Sequence, residues 1–297
     1  MAYVYDQCAG GVIPVDPATG TAEDLIEATQ DGIFMGGNRN TGYLYYGNTN
    51  QKSVTVIDAV SKQVIATIPV GTIPRKIGIN ERKNLVYVPN QVSKSVSVID
   101  GTDNAVIATI PLAISSPYIV VANPNNDKVY AGTSGGAIAV IDGLTNTVTG
   151  TITGISDSST MALNPNTNTL YVHQKYNANT GYLAVIDSNT DQIIDSIYVG
   201  ADVEDIAIDP NSNLIYVPHK GGRVDVISGN TNQIIRTFNI PSIGEYDSIR
   251  AVAVGSNGDV YFANYSPLRQ LYITDKYGTL LHTVDLNCPG SIVVMPQ

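Results

Sequence analysis

The sequence predicts an all-β chain assembled from repeats of one four-stranded unit. Three observations predict this fold class. A tyrosine recurs at nearly even spacing along the 297 residues, an aspartate-ending strand recurs after it, and no apolar run follows the period of a helix. Charged residues make up only 14% of the chain, whereas Val, Ile, Thr, Asn and Gly are abundant, which favours strands and tight turns.

Two series of residues define the repeat and run in parallel. The first is a tyrosine in a short apolar strand, at Tyr3, Tyr45, Tyr87, Tyr130, Tyr171, Tyr216 and Tyr261. The second ends the following strand, at Asp16, Asp58, Asp100, Asp142, Asp187, Ser228 and Asp275. Seven units therefore fill the chain. We expect these aspartates to be structural, because Asp side chains in turns bond to the backbone two residues on.

Each unit contains four strand-like runs. In NLVYVPNQVSKSVSVIDGTDNAVIATIPL, residues 84–112, and the segment after it, these runs are 85–88, 95–99, 105–110 and 118–122. Four short strands per unit are typical of a propeller blade rather than of a helical solenoid. The sequence predicts a seven-bladed β-propeller with four-stranded antiparallel blades, folded as a single domain over residues 1–297.

The two chain ends indicate how the ring closes. The chain begins on the tyrosine strand and finishes on GSIVVMPQ, residues 290–297, which matches the segments that precede that tyrosine at 76–80 and 205–210. If the preceding strand is innermost, one blade takes its outer strands from the N-terminus and its inner strand from the C-terminus. Such closure leaves no open sheet edge between the first and last units.

Charge and hydropathy exclude two classes of partner. A formal net charge of −10 with only 16 Lys plus Arg offers no basic surface for nucleic acid or for an anionic membrane. No stretch approaches the roughly 20 apolar residues of a membrane span, so we expect no membrane insertion. No basic and apolar leader precedes Tyr3. We expect a soluble chain, either made without a leader or seen after its removal.

The repeat resembles a known family. YVPN…VSVIDGTDNAVIATIPL at 87–112 and LYVHQ…LAVIDSNTDQIIDSIYVG at 170–200 are similar to the YVTN β-propeller repeats of archaeal surface-layer proteins and many exported bacterial proteins. The resemblance covers nearly the whole chain and is weaker at 21–30 and 261–275. It implies a seven-bladed propeller, often extracellular and often a binding or assembly module. It transfers no catalytic residue, because the motif is architectural.

Cys8 and Cys288 are the only cysteines. Superposing the repeats places them directly opposite each other on neighbouring antiparallel strands, within the distance that a disulfide requires. We expect a disulfide that locks the ring shut and, with it, an oxidising compartment. The alternative is two free thiols in a reducing cytosol.

No local motif predicts an active site. GxSxG, GxGxxG, Walker and HExxH patterns are absent. His173 and His219 end equivalent strands, but a metal site usually needs three or four ligands, and ordinary rim positions are the alternative. We therefore predict no catalytic residues, no metal and no cofactor. Propeller active sites converge from several blades, so an enzyme is not excluded by motif alone.

Charged residues near the starts of inner strands form a candidate channel mouth, consisting of Arg75, Lys76, Glu204, Asp205 and Arg250. Such a ring is suited to holding a small polar ligand. A solvated rim that balances its own charge is the alternative.

Longer loops gather on one face, over adjacent blades. They supply a candidate interaction face, consisting of Tyr176, Glu245, Tyr246, Tyr265 and Arg269. Neutral loop variation is the alternative. Asn264 opens a glycosylation sequon, which the following Pro267 disfavours.

The leading hypothesis is a non-catalytic extracellular or cell-surface propeller that acts as a protein interaction or assembly module, including self-assembly. Its expected partners are proteins, further copies of itself or a cell-surface polymer. The alternative is an enzyme or enzyme subunit of lyase, lactonase or redox type, with a ligand site at the central channel. The sequence leaves open whether residues 21–30 form a strand, a helix or a loop.

Overall fold

The computed structural model describes residues 1–28, 32–113, 115–177, 180–241, 243–244, 247–266 and 268–296. The strands of the first half are β1 (Ala2–Asp6), β2 (Gly11–Asp16), β3 (Thr21–Ala22), β4 (Ile26–Glu27), β5 (Gly32–Asn38), β6 (Tyr43–Asn48), β7 (Ser53–Asp58), β8 (Gln63–Pro69), β9 (Gly78–Asn80), β10 (Leu85–Asn90), β11 (Ser95–Asp100), β12 (Ala105–Pro111), β13 (Pro117–Ala122), β14 (Lys128–Thr133) and β15 (Ile138–Asp142). Those of the second half are β16 (Thr147–Ile152), β17 (Met161–Asn164), β18 (Thr169–Lys175), β19 (Gly181–Asp187), β20 (Gln192–Tyr198), β21 (Ala207–Asp209), β22 (Leu214–Pro218), β23 (Arg223–Ser228), β24 (Gln233–Asn239), β25 (Ser248–Val254), β26 (Val260–Ser266), β27 (Gln270–Thr274), β28 (Leu280–Asp285) and β29 (Pro289–Val294). A short 3₁₀ turn, Lys220–Gly222, precedes β23.

These strands form seven antiparallel sheets, and each sheet is one blade. Blade 1 has the order β29-β1-β2-β3, and blades 2 to 7 each use four consecutive strands, from β5–β8 to β25–β28. The inner strands β29, β5, β9, β13, β17, β21 and β25 contact one another in cyclic order and surround a central channel. The predicted seven-bladed β-propeller is confirmed.

The predicted closure of blade 1 by both chain ends is also confirmed. β1 pairs with β29 in antiparallel register, with Ala2 opposite Val294 and Val4 opposite Ile292. The N-terminal ammonium of Met1 donates a hydrogen bond to the carbonyl of Met295 at 3.1 Å. The last strand is therefore held as part of the first sheet.

The hydrophobic core lies between neighbouring blades rather than within one sheet. One cluster, for example, packs Val54 and Val56 of blade 2 against Val86 and Val88 of blade 3. Every strand in the middle of a blade is covered on both faces by adjacent blades, which explains its nearly uninterrupted burial.

Several of the repeated tyrosines anchor their blade to the next one. The Tyr130 hydroxyl of blade 4 donates to the carbonyl of Ser188 in blade 5 at 3.0 Å, and equivalent bonds join Tyr3 to Ala59 and Tyr216 to Lys276. Tyr171 of blade 5 bonds in the same way to Asn232 of blade 6 at 2.8 Å, whereas the buried hydroxyls of Tyr45 and Tyr87 have no hydrogen-bond partner within the described residues.

The repeated aspartates cap the turns that follow them, as predicted. The Asp58 carboxylate accepts a hydrogen bond from the Val60 N–H at 2.8 Å, and the Asp142 carboxylate accepts one from the Leu144 N–H at 2.8 Å. Ser228 takes the same place in blade 6 and accepts from the Asn230 N–H at 3.3 Å. These residues shape turns and are not gathered into a site.

Each complete outer strand carries a bulge at the same position. Val98 pairs with Ala108 and Ile99 pairs with Val106, which leaves Ile107 unpaired and exposed. The same irregularity recurs in the pairings of β8, β16, β20, β24 and β28. A bulge twists a sheet edge and hinders pairing with another molecule's edge.

The outer strand of blade 1 departs from this pattern. β3 and β4 are two short pieces that both pair with β2, and Glu23 between them forms an ion pair with Lys62 of blade 2. Residues 21–28 are thus an interrupted strand, which answers the question that the sequence left open for them; residues 29 and 30 lie outside the described residues.

The ring has two faces. The face that we call the loop face carries the turns between the second and third strands of each blade. It also carries the connections from each outer strand to the next inner strand. The other we call the turn face. Within the described residues, no helix is long and apolar enough to cross a membrane.

Candidate functional site

The central channel contains a cavity of about 1210 Å³. Its wall is apolar at mid-height, where the inner strands contribute Ile79, Ile208 and Val252. Its mouth on the turn face is lined by Arg39 and Arg82, among others. Its mouth on the loop face is lined by four of the five residues of the candidate channel mouth: Lys76, Glu204, Asp205 and Arg250.

Lys76 and Asp205 form an ion pair across the loop-face mouth. The ammonium nitrogen of Lys76 lies 2.5 Å from Oδ1 of Asp205. Lys76 precedes the inner strand of blade 3 and Asp205 precedes that of blade 6, and blades three places apart in a ring of seven stand on opposite sides. The pair therefore bridges the channel.

Asp205 is fixed in place by the backbone. Its Oδ1 accepts a hydrogen bond from the Ile206 N–H at 2.9 Å, and its Oδ2 accepts one from the Val252 N–H of blade 7 at 3.2 Å. The residue is only 6% exposed. These two N–H groups hold the Asp205 carboxylate in position even when the Lys76 ammonium moves away from it.

Glu204 and Arg250 stand beside this bridge. Burial raises the pKa of the Glu204 carboxyl above its ordinary value, although a hydrogen bond with Ser248 and the positive charge of Arg250 oppose the shift. The Arg250 guanidinium lies over the Tyr265 ring, 3.7 Å from its centroid. Tyr265 was predicted for the interaction face, so the structure joins that face to the channel mouth.

Arg75 does not line the cavity itself, although its two partners, Gln91 and Tyr118, do. Its Nε donates to the Gln91 side chain at 2.7 Å, and its guanidinium stacks on the Tyr118 ring at 5.0 Å from the centroid. Its side chain therefore takes part in packing between blades 3 and 4.

Tyr176 lies on the loop face of blade 5 and is 59% exposed. Its ring meets Tyr182 edge-on, with centroids 5.8 Å apart, and Tyr182 meets Tyr198 in the same way at 5.4 Å. Tyr198 is 58% exposed. Sequence reasoning missed Tyr182 and Tyr198, although Tyr198 replaces the proline that ends the outer strands of blades 2 and 3, Pro69 and Pro111.

The structure describes only some of the other residues predicted for the interaction face. Arg269 is exposed at a turn between β26 and β27, with a φ of 57°. Glu245 and Tyr246 lie outside the described residues. Asn264 is fully buried within β26, so a glycan could reach its side chain only if the strand opened.

The two histidines take separate roles at the rim. Burial lowers the pKa of His173, whose Nε2 lies 3.4 Å from the Gly200 carbonyl oxygen. His219 Nε2 lies 3.0 Å from Oδ2 of the buried Asp225. The described part of the chain contains no group of three His, Cys, Asp or Glu residues that could hold a metal ion.

Asp225 is the centre of a buried polar cluster in blade 6. Arg223 Nη2 donates to its Oδ2 at 2.5 Å and the Thr237 hydroxyl donates to its Oδ1 at 2.7 Å. Burial by itself raises the pKa of Asp225, but its hydrogen bonds with His219, Thr237 and Arg223 outweigh that effect and lower the pKa to about 2. The sequence signal was the acidic residue in VDVIS, where other blades carry VSVID or VTVID.

The structure contains the predicted disulfide between Cys8 and Cys288, with Cα atoms 5.2 Å apart. The predicted register is wrong by one residue. β1 and β29 shift register between Val4 and Asp6, so that the Gln7 N–H, rather than that of Cys8, donates to the Cys288 carbonyl at 3.0 Å. The bond therefore joins diagonal neighbours rather than opposed residues.

Comparison with solved structures supports the fold. The chain is similar to a chain of Kuenenia stuttgartiensis hydrazine synthase, with a TM-score of 0.77, 18% identity and 88% of each chain covered. It is also similar to the β-propeller domain of Myceliophteria thermophila Cps50 (Swd1), with a TM-score of 0.74, 14% identity, and 88% of this chain and 89% of that one covered. The likeness is one of fold alone. No protein-family model and no curated protein matches the sequence, so the YVTN resemblance stays a prediction.

Proposed function

We propose that this protein is a non-catalytic interaction module of an oxidising, extracellular or cell-surface environment, with protein partners that include further copies of itself. The observation that carries the proposal is the aromatic cluster of the loop face, Tyr176, Tyr182 and Tyr198. Two of its three rings are more than half exposed, and the edge-on contacts hold them in place. Rigid, exposed tyrosines supply large contact area at low entropic cost, as at protein interfaces.

Two further features support this environment. A disulfide persists where the surroundings are oxidising, and Cys8 at one end of this bond is exposed. The bulged outer strands oppose uncontrolled edge pairing, which leaves the faces of the ring as the surfaces for regulated contact.

The test is a double variant, Tyr176→Ala with Tyr198→Ala, compared with Tyr277→Ala. Tyr277 is a matched control, because it is 60% exposed but lies on the turn face. We expect the double variant to lose self-association in sedimentation velocity and binding to the surface of the cells that produce the protein. The control should retain both. Equal behaviour of the two variants would overturn the proposal.

An enzyme subunit is the second candidate. It is favoured by the fold shared with a chain of hydrazine synthase and by Glu204, a half-buried carboxyl at the channel mouth whose pKa is raised by burial. A carboxyl of this kind is a common general acid or base. Turnover that Glu204→Gln abolishes, and that the tyrosine variants leave intact, would favour this candidate over the first.

A further inference from the structure

The Lys76–Asp205 bridge has the geometry of an occupied binding site whose ligand is a side chain of the protein. We propose that the loop-face mouth of the channel binds a small aliphatic zwitterion, a molecule with one ammonium and one carboxylate, which displaces Lys76 from Asp205. This inference does not rest on the proposed function, because it concerns the channel and not the aromatic cluster.

Asp205 provides a site for an ammonium group. The Ile206 and Val252 N–H groups hold its carboxylate, and the Lys76 ammonium completes its hydrogen bonding. Removing a cation from a nearly buried carboxylate is unfavourable unless another cation takes its place. The exchange partner for Lys76 must therefore be positively charged.

Of the two partners in the bridge, the Lys76 side chain is the one suited to move away. Its side chain is 32% exposed whereas that of Asp205 is 8% exposed, and a lysine reaches its partner through a flexible aliphatic stem. The pairing of the Lys76 backbone with blade 4 does not depend on its side chain, because the Lys76 N–H donates to the Tyr118 carbonyl at 3.1 Å and its carbonyl accepts from Val120 at 3.1 Å. The Lys76 side chain can therefore change its conformation while its backbone stays paired with blade 4.

The displaced lysine and Arg250 together provide a site for a carboxylate. Arg250 lines the same mouth, and stacking on Tyr265 holds its guanidinium there. Within the described residues it has no ion pair. Its positive charge acts on the nearby Glu204, but its N–H groups are not engaged in an ion pair within the described residues and can donate to a ligand carboxylate.

Charge balance selects a zwitterion over a simple cation or anion. The bridge is neutral as a pair, so a cation that displaces Lys76 would leave the Lys76 ammonium without a counter-ion, and an anion that draws Lys76 away would leave Asp205 without one. The wall directly beneath the mouth is apolar and includes Ile77 and Ile206. An aliphatic chain on the ligand would lie against this wall and bury apolar surface.

The experiment is calorimetric titration of the full chain with three probes that share one isopentyl chain. Leucine carries both charges, isocaproate only the carboxylate and isoamylamine only the ammonium. We expect leucine to bind at least about tenfold more tightly than either single-charge probe, since each lost charge-assisted contact is worth about that factor. A longer zwitterion, ε-aminocaproate, should compete with leucine for the site.

Three variants test the assignment of residues. Asp205→Asn and Arg250→Met should each weaken leucine binding by about tenfold. Arg250 is exposed, so its replacement leaves the ring folded and keeps the test valid if the Asp205 variant is unstable. Asp202→Asn is the matched control, because Asp202 forms an exposed ion pair with Lys175 at 3.4 Å on the same face, and it should leave binding unchanged.

Three results would overturn the inference. One is the absence of binding by either zwitterion. Another is equal affinity for leucine and for a single-charge probe. The third is a loss in the Asp202 control as large as that in the Arg250 variant.

Discussion

The Asp6 carboxylate accepts a hydrogen bond from the Cys288 N–H at 3.0 Å, across a separation of 282 residues along the chain. Its Oδ2 also accepts from the Asn287 N–H at 2.7 Å, and its Oδ1 accepts from Cys8 and Ala9 at 3.1 and 2.9 Å. One buried side chain therefore joins the first turn of the chain to the segment that enters the last strand. Asp6 occupies the position that asparagine takes in blades 2, 3 and 7, at Asn48, Asn90 and Asn264.

Replacing Asp6 should weaken ring closure. Asp6→Ala leaves four N–H groups without their acceptor, and we expect the free energy of unfolding to fall by about 3–5 kcal/mol. Asp6→Asn retains one side-chain acceptor and should lose less. Denaturant unfolding measures both, with Asp16→Ala as the control, since Asp16 accepts its backbone bond in an exposed turn. A loss for Asp16→Ala as large as that for Asp6→Ala would contradict the assignment.

Removing the disulfide should also destabilise the ring. Cys8 and Cys288 are separated by 280 residues, and a cross-link over so long a loop restricts the unfolded chain by up to about 5 kcal/mol. The double variant Cys8→Ala with Cys288→Ala should therefore unfold at a lower temperature than the oxidised protein. Reduced wild-type protein should match the variant. An unchanged melting temperature in both would show that the termini are held by β1, β29 and Asp6 alone.

The tyrosine anchors make a paired prediction. The Tyr130 hydroxyl bonds to the Ser188 carbonyl at 3.0 Å and to the Asp191 carboxylate at 2.8 Å, whereas the buried Tyr87 hydroxyl has no hydrogen-bond partner within the described residues. Tyr130→Phe should lower the free energy of unfolding by about 1–3 kcal/mol, because an acceptor loses its donor between two blades. Tyr87→Phe should leave it unchanged or raise it slightly. Urea titration of the two variants distinguishes these outcomes, and a reversed order would refute the anchoring role.

The Asp225 cluster predicts a specific dependence of stability on pH. Its pKa is about 2 in the folded protein and near 3.8 when unfolded, so its charged form favours folding. That stabilisation, about 2 kcal/mol, is complete above roughly pH 4 and is lost as the pH falls to about 2. The free energy of unfolding of Asp225→Asn should fall less steeply over this range than that of wild type. Asp100→Asn, in an exposed turn, should keep the wild-type slope, and a shared slope for all three proteins would exclude the cluster as its source.

The repeat was predictable because its determinants are local. A β-branched run followed by aspartate and a polar turn specifies a hairpin wherever it occurs, and seven copies specify the ring. The strands of blade 3 match the predicted runs within two residues at each end. The prediction was least informative in blade 1, where residues 21–28 pair with β2 in two separate pieces.

The candidate site was predictable only as a set of positions. Their equivalent positions in the repeat predict that one mouth of the channel is lined by Lys76, Glu204, Asp205 and Arg250. In the structure these four residues line the loop-face mouth. That Arg75 turns instead to Gln91 and Tyr118 depends on which neighbouring side chains are within reach. The repeat carries no information on that choice, because neither partner belongs to its motif.

By itself, the sequence determined the number of blades, the order of their strands, the closure by both termini and the pairing of Cys8 with Cys288. Each of these follows from the repeated local pattern and from the strand of the repeat on which the sequence starts and finishes. Only the tertiary structure decided that Lys76 of blade 3 meets Asp205 of blade 6, and that Tyr176 and Tyr198 each meet the Tyr182 ring edge-on. Such contacts depend on the width of the channel and on side-chain directions, which arise when the blades pack into a ring and which no single repeat encodes.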